Sequence, residues 1–472
     1  MKKINLVILI IILGLTSASC KKFVDGYDKD PNAISYTTPE LMMQGVILQN
    51  QFFHKADGMR LSMMWMNQAT GADRQYKILD DWNQATSEDF NGPWNEVYVV
   101  LGQAYLMSEL ADKNNNQLLR GLGKLYQAWA GGEAASLWGD VPFSQANNKD
   151  IENPIFDSQQ HVFDQIQQLL DDAIADLSSG NGIIYDSKDI WFKGNASKWI
   201  KIAHGLKARF YLHSKQYDLA QQEALQGPSS PNDDLMALFD SNNDQPYGMR
   251  NPTWQFMRAR DGYMDASDTY AVGLFRSREN NKTKEGGRKT YNYGSNDLNY
   301  NAVGSDRVGK FFGNMKLLTY GEMLLIQTEC ILRDNTKTVA DALIPYNTYR
   351  ALLETKYDTG GFGSASNVRY TAYDPADFNN GGIENHGSNA VSDPKKAFLR
   401  EVFEERYLFF IGDYESFIDH ARSYNDPMVP QYMELSDYDD EPLRFVYPEV
   451  EEDANDNFPG SVSITTPLPL YN

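Results

Sequence analysis

Apolar positions along the chain repeatedly fall three and four residues apart. In HVFDQIQQLLDDAIADL, residues 161–177, Val162, Phe163, Ile166, Leu169, Leu170, Ala173, Ile174 and Leu177 share one face, while Asp164, Gln167, Asp171 and Asp172 fill the other. That period belongs to a helix half-sunk in a core, with Asp157 or Ser158 as its cap and SSGNG at 178–182 as its stop. ASKWIKIAHGLKARFYLHSK (196–215) follows the same rule through Trp199, Ile202, Ala203, Leu206 and Phe210. The spacing predicts further helices over 94–111, 117–137, 320–333, 338–353 and 395–411.

Short polar breaks such as DKNNN at 112–116 and DNTKT at 334–338 separate neighbours, as in antiparallel helix hairpins. One hairpin cannot bury its own apolar face, so stacked hairpins are expected. No strict 34-residue period is present. Trp94 with Tyr98 and Leu125 with Trp129 are only loosely tetratricopeptide-like, and a degenerate repeat stays open. Residues 226–262, 279–316, 357–394 and those after 423 break the pattern, being rich in Asn, Asp, Gly, Pro and aromatics. Loops this long usually carry function. The fold class is mainly all-α, a helical scaffold bearing long aromatic loops.

The N-terminus changes the setting. Lys2 and Lys3 precede the apolar run INLVILIIILGL (4–15), and Ser17, Ala18 and Ser19 lead to Cys20. A positive start, a short apolar run and small residues make a secretory signal, too short for a membrane span. A cysteine at the cut is what a bacterial lipoprotein signal needs, although Ser17 stands where Leu is usual. Cys20 is therefore the expected lipid-attachment site, with two signals or chains giving stable anchoring. The division is 1–19 signal peptide, 20–38 anchor and leash, and 39–472 a single domain.

A net charge of −21 argues against nucleic acid, whose phosphates need clustered Lys and Arg. The only other cysteine, Cys330, lies in EMLLIQTECIL and reads as a buried residue, so no intrachain disulfide staples the fold. No HExxH, zinc-spaced Cys/His cluster, GxSxG or Walker loop occurs, and DANDNF (453–458) fails as a calcium loop at Phe458 and Ile464. No metal site or cofactor is implied. The 64 acidic residues place a carboxylate pair at glycosidase separation in almost any fold, so they do not argue for catalysis. RSRENNKTKEGGRK (276–289) reads as a solvated loop.

Several stretches, in order, resemble SusD/RagB-type lipoproteins of Bacteroidetes. FVDGYDKDPN (23–32) is similar to their F-x-D-x-N-x-DPN opening, WNEVYVVLGQA (94–104) to WxxxYxxIxxA, and LWGDVPFSQA (137–146) to WGDVPYSEA. NASKWIKIAHGLKARFYL, LLTYGEMLLIQTECILR (317–333), EERYLFFIGDYESFIDHAR (404–422) and RFVYPEVEEDAN (444–455) match later family segments. The chain departs from the pattern at Ala196, at Gly412-Asp413-Tyr414, and at Phe417 and Asp419, which places the packing near the C-terminus in question.

The resemblance implies four tetratricopeptide-like helix pairs with a loop-rich ligand region. It also implies a surface-exposed outer-membrane lipoprotein that binds glycan or another nutrient. Such a protein sits on a SusC-like TonB-dependent transporter, usually through its helix-pair face, and is not an enzyme. The alternatives are a surface glycoside hydrolase and a structural protein-docking scaffold. The family has no fixed ligand motif, so candidates come from chemistry. Sugar C–H faces stack on aromatic rings and sugar hydroxyls pair with Asn, Asp or Arg. Aromatics at helical spacing (Trp94, Trp129, Trp138, Trp199) read as core. Those in polar loops read as ligand candidates: Tyr76, Trp82, Asn83, Trp254, Tyr263, Tyr291 and Tyr293, with Trp82 and Trp254 as the expected stacking platforms.

Overall fold

The computed structural model describes residues 38–239, 251–293, 314–358, 368–433, 435 and 440–472; Cys20 and the leash up to residue 37 lie outside them. From the N-terminus, α1 (Pro39–Phe53) and α2 (Asp57–Trp65) precede a short α3 (Arg74–Leu79). Next come α4 (Asn91–Lys113), α5 (Gln117–Trp138), α6 (Gln159–Ser178), α7 (Ala196–His213) and α8 (Tyr217–Ala224). Three eight-residue helices follow: α9 (Pro252–Ala259), α10 (Tyr270–Ser277) and α11 (Gly286–Tyr293). Then α12 (Tyr320–Arg333), α13 (Val339–Asp358), α14 (Pro394–Phe409), α15 (Glu415–Ser423) and α16 (Glu449–Ala454) complete the order.

Polar side chains start these helices where the sequence supplies them. Ser158, not Asp157, caps α6 by accepting from the His161 amide (3.4 Å). Asn116 does the same for α5 (3.1 Å), and Asp393 with Pro394 opens α14. Asp157 instead accepts from the Phe143 and Ser144 amides, fixing the turn before α6.

Four helix pairs form the scaffold: α1 with α4, α5 with α6, α7 with α8, and α12 with α13. Successive pairs meet through α4–α5, α6–α7 and α8–α12, so each pair covers the apolar face its neighbour leaves open. The predicted neighbours 94–111 and 117–137 do pack against each other, more extensively than α4 packs on α1, a contact the periodicity did not reveal. Trp94, Trp129, Trp138 and Trp199 are buried, as their helical spacing required. On α5, a Cβ at Gly131 or Gly132 would run into the Phe143 or Phe210 ring, so these glycines set how closely the next layer approaches. Cys330 is buried, and burial pushes its thiol up.

Buried ion pairs tie the scaffold to the C-terminal helices. Arg209 of α7 reaches Glu133 of α5 (3.3 Å), Glu322 of α12 (2.8 Å) and Glu415 of α15 (3.3 Å). His213 also meets Glu415 (3.0 Å), and Arg422 joins Glu329 to Asp419, both at 2.7 Å. The departures from the family pattern are accommodated here. Asp413 pairs with Lys55 (2.6 Å), Asp419 receives Arg406 (2.7 Å), and Phe417 packs against Trp65 and Phe445.

The loop-rich stretches form a cap held by short antiparallel ladders: β1 (Thr70–Gly71), β2 (Leu235–Ala237), β3 (Met264–Asp265), β4 (Thr283–Lys284), β5 (Met315–Leu318) and β6 (Arg369–Tyr370). They pair as β1–β3, β2–β5 and β4–β6.

Candidate functional site

The β1–β3 ladder brings residues 70–80 against 256–265, with the Ala72 amide donating to the Tyr263 carbonyl (2.7 Å). Gly71 is held from the other side, its amide donating to Asp80 Oδ1 (2.7 Å); burial nonetheless raises the Asp80 carboxyl. Along this seam three rings meet. Tyr76 lies 4.6 Å from Phe256 and 6.3 Å from Tyr263, and Phe256 lies 6.1 Å from Tyr263.

Three guanidinium groups border the rings. Arg60 of α2 sits 4.4 Å over Phe256 and donates through Nε to the Tyr76 hydroxyl (3.0 Å). Arg74 and Arg260 each lie 5.9 Å from the Tyr263 ring centre. The Arg74 side chain is 71% exposed, and Arg258 and Arg260 are also exposed. Cation–π contact orients the guanidinium planes while leaving donors for a ligand. Partly exposed Phe256 beside the exposed Arg74 and Arg260 donors sets an apolar edge next to N–H groups, the combination that a sugar's C–H and hydroxyl surface calls for.

The other predicted residues part company. Trp254 on α9 is half-buried, as is Tyr291 on α11. Tyr263 and Tyr76 are largely buried within the cluster, so they support it more than they face solvent. Asn83 is exposed and donates to Asp440 Oδ1 (3.0 Å). Trp82 departs from the expectation of a stacking platform. It is fully buried, with its indole N–H on the same Asp440 oxygen (3.2 Å), and no ring face is open to a sugar. Tyr293 is likewise buried, its hydroxyl donating to the Gln68 carbonyl (2.8 Å).

Sequence reasoning missed Phe256, Arg60, Arg74 and Arg260. One signal was available: Arg60 interrupts DGMRLSMMW, and an arginine inside an apolar helix needs a buried acceptor or ring. Arg74 and Arg260 in polar loops carried no signal that set them apart from solvated charge.

Solved structures share this architecture. A SusD/RagB family protein from Bacteroides thetaiotaomicron superposes with a TM-score of 0.66 at 21% identity, over 89% of this chain and 95% of its own. A SusD homologue from Bacteroides fragilis gives 0.65 at 16% identity, over 92% of this chain and 100% of its own. A chitin-binding SusD homologue from Flavobacterium johnsoniae gives 0.59 at 15% identity, over 88% of this chain and 93% of its own. At such identities the likeness shows the fold. No protein of curated function matches the chain. Residues 31–448 match the SusD-like family described as "Starch-binding associating with outer membrane", and with the helix-pair stack this places the chain in that family.

Proposed function

We propose that the protein is a non-catalytic, lipid-anchored surface subunit that binds a glycan and delivers it to a SusC-like TonB-dependent transporter of the outer membrane. The observation that carries the reading is the pair of exposed guanidinium groups, Arg74 and Arg260, held at the edge of the largely buried Tyr76–Phe256–Tyr263 cluster, where they offer donors beside an aromatic base. Trp254, half-buried on α9 like Phe256, is the proposed stacking ring. The start of the scaffold supplies a surface for a partner. Leu41, Leu48 and Phe52 of α1 are exposed, as are Val99, Tyr105 and Leu106 of α4, the helix it packs on. Anchoring rests on Cys20.

Calorimetric titration with starch- and chitin-derived oligosaccharides, followed by chromatography of the recovered ligand, tests the reading. Saturable binding with ligand returned intact is expected, and the double variant Trp254→Ala, Arg260→Ala lowers affinity by about tenfold. Cleaved ligand, or affinity untouched by the double variant, rejects it.

A further inference from the structure

A cavity of about 660 Å3 opens between α10, α14, residues 383–391 and residues 430–433, and it shares no lining residue with the ring cluster. Its size falls within the range of small-ligand sites. The floor is a guanidinium–carboxyl cluster in which Arg278 meets Glu401 (2.9 Å), Glu405 (2.9 Å) and Glu404 (3.0 Å). Glu401 and Glu405 are closed off, at 2% and 1% side-chain exposure. Glu404 keeps 18% and is the floor carboxyl that opens outward. Burial raises the Glu404 carboxyl against the pull of Arg278.

Both walls are pinned from inside the protein. The Tyr270 hydroxyl donates to the Tyr432 carbonyl (2.9 Å), fixing the 430–433 wall. Arg400 donates to the carbonyls of Glu384 (2.9 Å) and Asn389, fixing the opposite wall. The cavity is therefore preformed. Leu274, Ile383 and Val391 give it an apolar flank, and exposed His386, Ser388 and Asn389 give its rim donors and acceptors. A sugar hydroxyl both donates and accepts, so such a rim suits it. Arg278 is committed to glutamates and Arg400 to backbone carbonyls, while Glu279, Glu384 and Glu404 also line the space. An anionic group therefore meets like charge.

We infer that this cavity is a second saccharide site, separate from the ring cluster, which seats one neutral sugar unit between Glu404 and the 386–389 rim. The choice of ligand class rests on the glycan-binding reading above. The test titrates the full chain with maltose, N,N′-diacetylchitobiose and digalacturonate, for the parent and for Asn389→Trp, Glu404→Gln and Arg260→Ala, with thermal unfolding as a folding control. Two sites for a neutral disaccharide are expected in the parent, one in Asn389→Trp, and no second site for digalacturonate. Glu404→Gln keeps the cavity shape and weakens the second site by about tenfold. A single site in the parent that responds to Arg260→Ala alone overturns this inference and leaves the glycan-binding reading standing. Two sites that survive both pocket variants, or a second site that takes digalacturonate, also overturn it. Absence of any saccharide binding overturns both readings.

Discussion

Trp129 and Tyr263 are both aromatic rings beside arginine chemistry, yet they belong to opposite regimes. Trp129 is sealed in the scaffold, donating to Glu133 (3.1 Å), which is itself held by Arg209. Tyr263 sits at the edge of the cap, where Arg74 and Arg260 lie near its ring and remain exposed. The scaffold commits its charges to one another in a low-dielectric interior, where breaking a pair is costly. At the edge of the ring cluster Arg74 and Arg260 stay in water, where an ion pair is worth little and the donors stay available, unlike Arg278 elsewhere in the cap, which is buried among glutamates. Residue type does not separate Trp129 from Tyr263; the solvation of the neighbouring charge does.

The largest expected effect comes from Arg209→Ala. It strands Glu133, Glu322 and Glu415 without their shared cation and costs about 3–5 kcal/mol in denaturant unfolding. A loss below about 1 kcal/mol would erase the distinction drawn between the two regions.

A smaller effect separates two carboxyls by pH. Burial raises Glu96 to about 7, with Arg60 opposing, and its Oε2 has no hydrogen-bond partner among the described residues. The folded value exceeds the unfolded one of about 4.3, so ionising this group costs stability as pH climbs from there through 7. Glu96→Gln is accordingly stabilising at pH 8 by on the order of 1–3 kcal/mol, and neutral near pH 4. Glu329 has the reverse sign. Against a burial penalty, Arg422 and Arg333 hold it down to about 2, so its contribution is full above the unfolded value and fades as pH falls toward 2. Thermal unfolding of Glu96→Gln and Glu329→Gln across pH 3–8 reads both signs. The smallest effect is that of Arg74→Ala on stability, within about 0.5 kcal/mol by thermal unfolding. A larger loss would make the exposed arginine part of the frame.

The long amphipathic helices were legible because each keeps a polar face. Residues 161–177 announced α6 almost to its ends, and Ser158 served as its cap. In α2 every residue from Gly58 to Trp65 is buried, so no polar stripe marks the period. The eight-residue helices of the cap are too short to establish one. Two of the loop aromatics, Tyr76 and Tyr263, meet across the β1–β3 ladder. Trp82 could not be assigned from its own loop because what seals it is tertiary: the partner of its indole, Asp440, lies 358 positions away. Phe256 under Arg60 is a long-range contact of the same kind.

The buried ion pairs also bear on biosynthesis. Arg209, Glu133 and Glu322 are made early or midway along the chain, but Glu415 belongs to a helix near its end, as does Asp419, the acceptor for Arg406. A polypeptide released short of residue 415 holds a scaffold whose interior charges do not balance. Arg406 then lacks Asp419 and Glu329 lacks Arg422, so the interior pairing of the scaffold is completed only by the last eighth of the chain.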